Sequence, residues 1–303
     1  MSINNKTIYI LGANGFIGNH LAGYFTGQGY RVFTERIDIT DLRALKKAFE
    51  DSKPEVVLNC AGVRAYPNID WCEDHKEETM RVNVAGAINA MTAAVEAGAY
   101  PIQITSGCIY SAGPEKQFTE EDEPNFHGSF YSRMRIILQE TLKELPVLQA
   151  RIRMPISSYS HPRNLLNKII GYKQVISAPN SATLLEDLAP ALEVLINKKI
   201  TGILNLTNEG YVENKKLLEL YKNIIDPEHK YELISMAELE KNIVKTGRSN
   251  CVLSMAKASS IGVKMPALDK QRLRKVMLSY KESCSKWAPS PAKRGDKGTL
   301  LKK

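Results

Sequence analysis

Residues 7–18 have the sequence TIYILGANGFIG, in which an apolar run is followed by glycines at three-residue intervals. A buried strand, a tight glycine turn and the start of a helix, in that order, form a cradle for a pyrophosphate, because the first N–H groups of a helix bind anions. Gly12 and Gly15 permit the turn and a close approach of the phosphates, and Gly18 permits close packing of the helix. The stretch therefore predicts a dinucleotide-binding α/β fold.

The segments that follow alternate between apolar strands and amphipathic helices, which is typical of βαβ units and a parallel sheet. Strands are predicted at residues 7–11, 30–34, 55–59, 100–105 and 147–153, and helices at 16–28, 41–51, 77–97 and 131–145. After Pro155 the pattern changes to helical stretches at 164–172, 184–197 and 214–225, separated by short strands such as 202–206.

The predicted fold class is therefore α/β, a Rossmann doubly wound parallel sheet with a smaller C-terminal substrate-binding lobe. Residues 1–155 are assigned to the dinucleotide-binding Rossmann domain, with some later segments returning to it. Residues 156–287 are assigned mainly to the lobe, and residues 288–303 to a disordered basic tail.

Composition excludes several classes of protein. The formal net charge is +8, and the last eleven residues, with five basic side chains against one acid, supply half of it. The rest is a mild surplus without an aromatic-basic ribbon, so no nucleic-acid partner is expected. No apolar run is long enough to cross a bilayer, and the N-terminal residues have no signal-peptide pattern. We therefore expect neither membrane association nor secretion.

Cysteine and histidine spacing points to a cytoplasmic protein without a metal. The five cysteines form no CxxC pair, and an odd number fits free thiols in a reducing compartment better than a disulfide framework. The five histidines show no metal-ligand spacing, and the acids Asp70, Glu73 and Asp74 beside His75 are interpreted as orienting a loop and substrate hydroxyls.

The glycine spacing, together with Asn59-Cys-Ala-Gly62 after the third strand, resembles the extended short-chain dehydrogenase/reductase superfamily over roughly residues 6 to 285. The resemblance implies a nicotinamide cofactor. Glu35 could accept from a ribose hydroxyl, whereas Arg36 could hold a 2′-phosphate, so NADPH is favoured and NADH is the alternative. The implied cofactor-binding residues are Gly12, Asn14, Gly15, Phe16, Ile17, Gly18, Arg36, Asn59, Ala61, Gly62, Tyr131, Arg135, Met154 and Pro155.

In that superfamily a tyrosine and a lysine four residues later share one helix face, with a serine or threonine on the fourth strand. Here the candidates are Ser106 and Tyr131, with Arg135 in the place of the lysine. The tyrosine hydroxyl would donate to a carbonyl oxygen as hydride arrives, and the nearby cation would stabilise the phenolate. An arginine keeps the charge but is not equivalent to lysine. The alternatives are an ordinary aromatic at a helix start and a solvated arginine.

Longer stretches resemble one subfamily, the bifunctional UDP-4-keto-6-deoxyglucose 3,5-epimerase/4-reductases, also called nucleotide-rhamnose synthases. They are PNIDWCEDH (67–75), SGCI (106–109), PNFHGSFYS (124–132), RIRMPISS (151–158), PRN (162–164) followed by Lys168, PNS (179–181) and RSN (248–250). The resemblance implies inversion of C3 and C5 of a 4-keto sugar and then reduction of the C4 ketone.

Each inversion needs a base on one face of the sugar and an acid on the other. Cys108 and Lys168 match the pair of the subfamily, since a cation favours the thiolate and burial favours the neutral amine. The alternatives are a small buried thiol and a surface lysine, with Lys173 as a competing candidate.

Further residues are implied to bind the nucleotide sugar. Arg248 is the candidate for the diphosphate, since its planar fork suits two phosphate oxygens. Asn180 and Ser181 are expected near the same nucleotide end, and Asn125 and Asn164 complete the predicted substrate contacts.

Two other functions stay open. One is a reductase only, similar to bacterial dTDP-4-dehydrorhamnose reductases, and the other is a non-catalytic NADP-binding regulatory subunit, as the methionine adenosyltransferase β subunit is. The substrate is a UDP-sugar or a dTDP-sugar. A separate 4,6-dehydratase is expected upstream in the pathway, and a homodimer is expected by analogy.

Overall fold

The computed structural model describes residues 6–63 and 68–286. Its strands are β1 (Thr7–Leu11), β2 (Arg31–Phe33), β3 (Val56–Asn59), β4 (Tyr100–Ser106), β5 (Gln117–Phe118), β6 (Leu148–Ile152), β7 (Pro155–Ile156), β8 (Gln174–Val175), β9 (Thr183–Leu184), β10 (Gly202–Asn205), β11 (Glu232–Leu233) and β12 (Val252–Leu253). Its helices are α1 (Phe16–Gly27), α2 (Leu42–Ser52), α3 (Trp71–Asp74), α4 (Lys76–Met80), α5 (Ala87–Glu96), α6 (Phe130–Leu142), α7 (Leu165–Ile170), α8 (Leu185–Lys198), α9 (Asn214–Ile224), α10 (Met236–Asn242), α11 (Ala256–Ser260) and α12 (Lys270–Lys286).

A six-stranded parallel sheet in the order β10-β6-β4-β3-β1-β2 organises the larger half. Strand β1 pairs with β2 on one side and with β3 on the other, so the direction of the strand order reverses there. At such a reversal the connections leave on opposite faces and open a crevice at the carboxyl ends of the strands. The predicted Rossmann sheet is confirmed, and the glycine turn lies at this crevice.

Strand β1 shows why both faces of the sheet are covered. Ile8 and Ile10 pack in the apolar layer that contains α1 and α8, whereas Tyr9 and Leu11 pack in the layer of α2, α5 and α6. Successive side chains of a strand point to opposite faces, so a continuous apolar run needs helices on both sides.

Two elements that follow Pro155 belong to the larger half. Strand β10 pairs in parallel with β6, and α8 packs on α1, where Glu193 accepts hydrogen bonds from the hydroxyls of Tyr24 and Tyr30. These are the later segments that return to the Rossmann half. The division of the chain at residues 155–156 stays a prediction.

The smaller lobe has its own apolar cluster, built mainly from α7, α9 and α12. The strand pairs β7–β9, β8–β11 and β5–β12 are short and lie outside the large sheet. The single helix predicted at 77–97 is instead interrupted, because a π-helical segment, Arg81–Gly86, joins α4 to α5. The predicted disordered tail, residues 288–303, lies outside the described residues.

Candidate active site

A cleft of about 1530 Å³ opens at the carboxyl ends of the strands and extends into the smaller lobe. Pockets for one small ligand are about 300–1,000 Å³, so this cleft has room for a dinucleotide and a second ligand. The predicted site residues that line it are Gly12, Asn14, Gly15, Phe16, Ile17, Gly18, Arg36, Ala61, Gly62, Ser106, Cys108, Tyr131, Arg135, Met154, Pro155, Lys168, Asn180 and Arg248.

The glycine turn fits a pyrophosphate. Gly12 has a φ of +74°, and a Cβ there would lie 2.7 Å from the backbone of Ala61. A Cβ on Gly18 would lie 2.4 Å from the carbonyl oxygen of Gly12. Gly15 begins α1 without a side-chain cap, and the first turn holds no acid, so its N–H groups are suited to an anion.

The far end of the turn carries one acidic and two basic side chains. Glu35, Arg36 and Arg81 all line this end of the cleft. Burial, together with the carboxylate of Glu35, with which it hydrogen bonds, raises the pKa of Tyr9 to about 12. The two arginines are cationic groups at this end, and either could pair with an anionic 2′-phosphate.

The start of α6 is fixed to the loop that carries Cys108. Ser129 caps the helix and accepts from the N–H of Ser132 at 3.1 Å, and the hydroxyl of Ser132 donates to the carbonyl oxygen of Cys108 at 2.6 Å. Glu73 accepts from the N–H of Phe130 at 2.6 Å. These bonds hold Tyr131, in the first turn, at the same cleft as Ser106 at the end of β4.

Arg135 lies one helical turn after Tyr131, and its guanidinium carbon is 5.0 Å from the centre of the tyrosine ring. The predicted neighbours at i and i+4 are thus in contact, as the geometry of a helix requires. Its buried Nε has no hydrogen-bond partner among the described residues. The guanidinium therefore places a permanent positive charge over the ring.

The structure brings Cys108 and Lys168 to one cleft. Lys168 lies on α7, which begins at the Asn164 cap, and is half-buried. Burial lowers the pKa of Lys168, the positive charge of Arg163 lowers it further, and Cys108 acts in the opposite direction. Lys173, the competing candidate, is exposed and does not line the described cleft.

Arg153 was missed by the sequence analysis, although it falls within the stretch 151–158. It follows directly after β6, is 3% exposed, and donates from Nη1 to the sulfur of Cys108 at 3.3 Å. Asn180 accepts from its Nε at 3.0 Å. Asn180 is thus linked through Arg153 to Cys108, and its expected place near the nucleotide stays a prediction. The available signal was a basic residue directly after a parallel strand, where sites form.

Arg248 bridges the smaller lobe and the segment before α3. It donates to Asp70 at 2.9 Å and to Asn68 at 3.3 Å. Glu73 and Asp74 likewise bind Phe130 and Lys245, and His75 stacks on Trp71 at 3.9 Å. These four acidic and histidine side chains hold the loop and do not line the described cleft. Their contact with substrate hydroxyls stays a prediction.

Three predicted contact residues form hydrogen bonds with the backbone, and their roles in ligand binding stay predictions. Asn59 accepts from the N–H of Ala61 at 2.9 Å, Asn125 bonds both backbone groups of Ser111, and Asn164 caps α7 at Leu166 while donating to backbone carbonyls. None of the three lines the described part of the cleft. Ser181 is also buried, bonded to Gly210 and Leu253. Short polar side chains often serve the backbone in this way.

No group of three or more candidate metal ligands occurs among the residues that the structure describes. Within residues 6–63 and 68–286, no helix has the length and apolar character needed to span a membrane.

A doubly wound sheet, a glycine turn at its reversal point, and a serine and tyrosine facing the same crevice define an extended short-chain dehydrogenase/reductase. Residues 6–151 match the family model described as the RmlD substrate binding domain. The chain belongs to the RmlD-like family of rhamnose-forming epimerase/reductases within that superfamily.

The relatives are as follows. A bifunctional dTDP-4-dehydrorhamnose 3,5-epimerase/dTDP-4-dehydrorhamnose reductase of Arabidopsis thaliana is 37% identical, over 97% of this chain and 96% of its own length. A trifunctional UDP-glucose 4,6-dehydratase/UDP-4-keto-6-deoxy-D-glucose 3,5-epimerase/UDP-4-keto-L-rhamnose-reductase of the same plant is 38% identical over 94% of this chain, which spans 42% of that protein. The crystal structure of the L780 UDP-rhamnose synthase from Acanthamoeba polyphaga mimivirus has a TM-score of 0.85 and 29% identity, covering 91% of this chain and 100% of that one.

Proposed function

We propose that this chain is a bifunctional 3,5-epimerase/4-reductase that converts UDP-4-keto-6-deoxy-D-glucose to UDP-L-rhamnose with NADPH. One observation carries the proposal: a single cleft is lined by Ser106 and Tyr131 and also by Cys108 and Lys168. The first pair suits ketone reduction, and the second suits proton transfer at the carbons beside the ketone. Relatives whose names state both activities support the combination.

In the reduction, Tyr131 donates its hydroxyl proton to the C4 ketone oxygen and Ser106 donates a hydrogen bond to the same oxygen. NADPH, when bound, supplies the hydride. Arg135 stabilises the phenolate that remains on Tyr131, since its guanidinium lies over the ring.

In each epimerisation one member of the Cys108–Lys168 pair removes the proton from the carbon next to the ketone, and the other returns a proton on the opposite face. The polarised ketone makes this proton acidic. The lowered pKa of Lys168 supports the assignment, because it brings the amine closer to the range in which it exchanges protons readily.

NADPH is favoured over NADH. Support comes from Arg36 and Arg81, which both line the cofactor end of the cleft, while Glu35 accepts a hydrogen bond from Tyr9. A 2′-phosphate would add charge-assisted hydrogen bonds to these arginines. The diphosphate of the sugar nucleotide is assigned to Arg248, which lines the other end.

The reductase-only and regulatory alternatives are less well supported. A reductase without epimerase activity has no use for a thiol and an amine at the same cleft as the tyrosine. A regulatory subunit has no use for the helix-start bonds that hold Tyr131 at the cleft. We also propose that the protein works with a UDP-sugar in preference to a dTDP-sugar, since relatives that act on UDP-sugars include the mimivirus synthase, whose structure is similar.

Three further proposals concern the setting of the enzyme. A separate 4,6-dehydratase supplies the keto sugar, because the substrate is itself a dehydration product. Free cysteines support a reducing, cytoplasmic location. A homodimer is supported by exposed apolar side chains on the packed helices α4 and α6, namely Met80 and Ile137.

The test is incubation of the purified protein with UDP-4-keto-6-deoxyglucose and NADPH in deuterated water, with the nicotinamide absorbance and the sugar product followed together. We expect NADPH oxidation and UDP-rhamnose that carries deuterium at C3 and C5. Reduction without exchange would identify a reductase only, and tight NADPH binding without turnover would identify a regulatory subunit. A parallel reaction with the dTDP-sugar ranks the two nucleotides.

A further inference from the structure

Arg153 is a buried cation that has no carboxylate partner among the described residues. Arg153 is 3% exposed. It takes part in none of the salt bridges found in residues 6–63 and 68–286. Its acceptors are the amide oxygen of Asn180 and the carbonyl oxygen of Ser249, the latter at 2.6 Å from Nη2. Both are neutral. Taking a guanidinium out of water without a counter-charge is costly, so a negative partner nearby would stabilise it.

The remaining contact identifies that partner. Nη1 of Arg153 donates to the sulfur of Cys108 at 3.3 Å. A thiolate is both a counter-charge and a better acceptor than a thiol. The other titratable groups that interact with Cys108 are Lys168 on α7 and Cys251 before β12. Burial raises the pKa of Cys251, whose thiol donates to the carbonyl oxygen of Gly107, so it stays neutral.

Asn180 fixes the direction of the guanidinium. Its single oxygen accepts from both Nε and Nη2 of Arg153 and from the N–H of Cys251 at 3.1 Å. Its own amide group donates to Asn250 at 2.8 Å. Because two N–H groups of Arg153 converge on one held oxygen, the guanidinium cannot rotate without losing both bonds, and Nη1 stays directed at Cys108.

We propose that Arg153 is a positioning residue for epimerisation, which holds Cys108 as a thiolate at the cleft so that Cys108 is the base and Lys168 is the acid. The reaction itself rests on the proposed function. The thiolate takes the proton from the carbon next to the ketone, and the electron pair of that bond moves to the ketone oxygen as an enolate. The ammonium of Lys168 then returns a proton to the opposite face of the carbon, which restores the ketone and leaves a thiol and an amine. One proton passes from the thiol to solvent and another from solvent to the amine before the next turnover.

The test needs no sugar, so its result does not depend on the proposed substrate. The rate of alkylation by iodoacetamide is measured as a function of pH for the peptide that contains Cys108, with exposed Cys284 as a reference in the same molecule. In Arg153→Met we expect alkylation of Cys108 at pH 7 to be about tenfold slower relative to Cys284, and its pH profile to move to higher pH, because one charge-assisted hydrogen bond is lost. Arg153→Lys should restore much of the rate, which a purely structural role would not predict.

A second variant covers the case in which Arg153→Met does not fold, as judged by NADPH binding. Asn180→Asp has nearly the same shape and gives Arg153 a carboxylate in place of the thiolate, so alkylation of Cys108 should again slow while that of Cys284 does not change. An unchanged Cys108 profile in a variant that still binds NADPH would overturn the role of Arg153. A shifted profile in a protein that fails to exchange C3 and C5 would support this role and overturn only the proposed epimerase activity.

Discussion

Arg135 occupies the position at which the superfamily pattern has lysine, and its contacts define what the replacement can do. Its guanidinium lies 5.0 Å from the centre of the Tyr131 ring and lines the cleft. Lysine would carry a compact charge that can be lost at high pH, whereas arginine stays charged at every pH used in an assay. The positive charge beside Tyr131 therefore does not change with pH, and any pH dependence of the reaction comes from other groups.

Tyr131→Phe removes the proton donor but leaves the acid–base pair. We expect NADPH-dependent ketone reduction to fall by about 10²–10⁴-fold, the usual contribution of a general acid, while deuterium exchange at C3 and C5 continues. Tyr211→Phe is the matched control, since Tyr211 is 45% exposed and lies outside the cleft. Loss of exchange together with reduction would contradict separate roles for the two groups of residues.

Lys168 should give the exchange reaction an alkaline limb. Burial lowers its pKa below the ordinary lysine value of 10.5, so the ammonium that acts as the acid is lost at a lower pH than for a free lysine. Exchange should therefore be present at neutral pH and decline as the pH rises through this lowered pKa. An alkaline limb at or above 10.5, measured by proton NMR of the sugar, is inconsistent with this assignment.

Replacement of Lys168 distinguishes its role from that of Lys173, the competing candidate. Lys168→Ala should reduce exchange at least about 100-fold while NADPH binding is retained, and Lys173→Ala, at an exposed position, should leave exchange within twofold.

At the scale of residues, the structure places some of the side chains named from the sequence at the cleft and others against the backbone. Cys108, Lys168 and Tyr131 are named by motif and line one cleft. Asn59, Asn125 and Asn164 belong to equally distinctive motifs, yet their side chains bond the backbone. A motif records that a residue type is needed and does not record whether it is needed by a ligand or by the fold. For the same reason Arg153 was present in a named stretch and was overlooked.

At the scale of elements, the strands and helices of residues 7–153 are close to their predicted bounds, because buried parallel strands are short apolar runs separated by clear turn and helix signals. The two-residue strands of the smaller lobe, such as β7 and β9, leave no periodic signal. The pairing of β10 with β6 could not be predicted either, since it joins residues that are about fifty positions apart. The π-helical segment Arg81–Gly86 has no local sequence pattern that distinguishes it from an α-helix.

Helix α1 offers a matched pair of glycines. A Cβ on Gly18 would lie 2.4 Å from the carbonyl oxygen of Gly12, whereas a Cβ on Gly23 would meet no atom within 4 Å. Gly18→Ala should weaken NADPH binding at least about tenfold, since the helix must move away from the phosphate turn. Gly23→Ala should leave binding unchanged and raise stability by about 0.5–1 kcal/mol, the helix preference of alanine. Titration calorimetry and thermal unfolding measure the two effects, and equal NADPH affinities in the two variants would refute the packing role.

At the scale of the whole molecule, two ion pairs join the segment before and within α3 to the segment that precedes β12. Arg248 pairs with Asp70 at 2.9 Å where both side chains are largely buried, and Lys245 pairs with Asp74 at 2.5 Å where both are exposed. Arg248 makes three hydrogen bonds through Nη1 and Nη2. A guanidinium has five N–H donors, so donors remain for a diphosphate.

These two pairs predict different effects on substrate binding. Arg248→Met should raise the Kd of the UDP-sugar at least about tenfold, because a charge-assisted contact with phosphate is lost. Lys245→Met should change the Kd less than twofold, since an exposed ion pair contributes about 0–1 kcal/mol to stability and Lys245 does not line the cleft. Similar Kd values in the two variants would show that Arg248 serves the loop and not the ligand.

The late position of β10 in the chain has a consequence for synthesis on the ribosome. Strand β6 ends at Ile152, and the strand that covers its open edge is complete only at Asn205, after α8 has been made. At about 5–20 residues per second, the nascent chain carries this uncovered edge for roughly 3 to 10 seconds. During that interval the open edge can pair with another nascent chain. We therefore expect the yield of active protein to depend on the translation rate of codons 153–205 and on chaperones that shield strand edges.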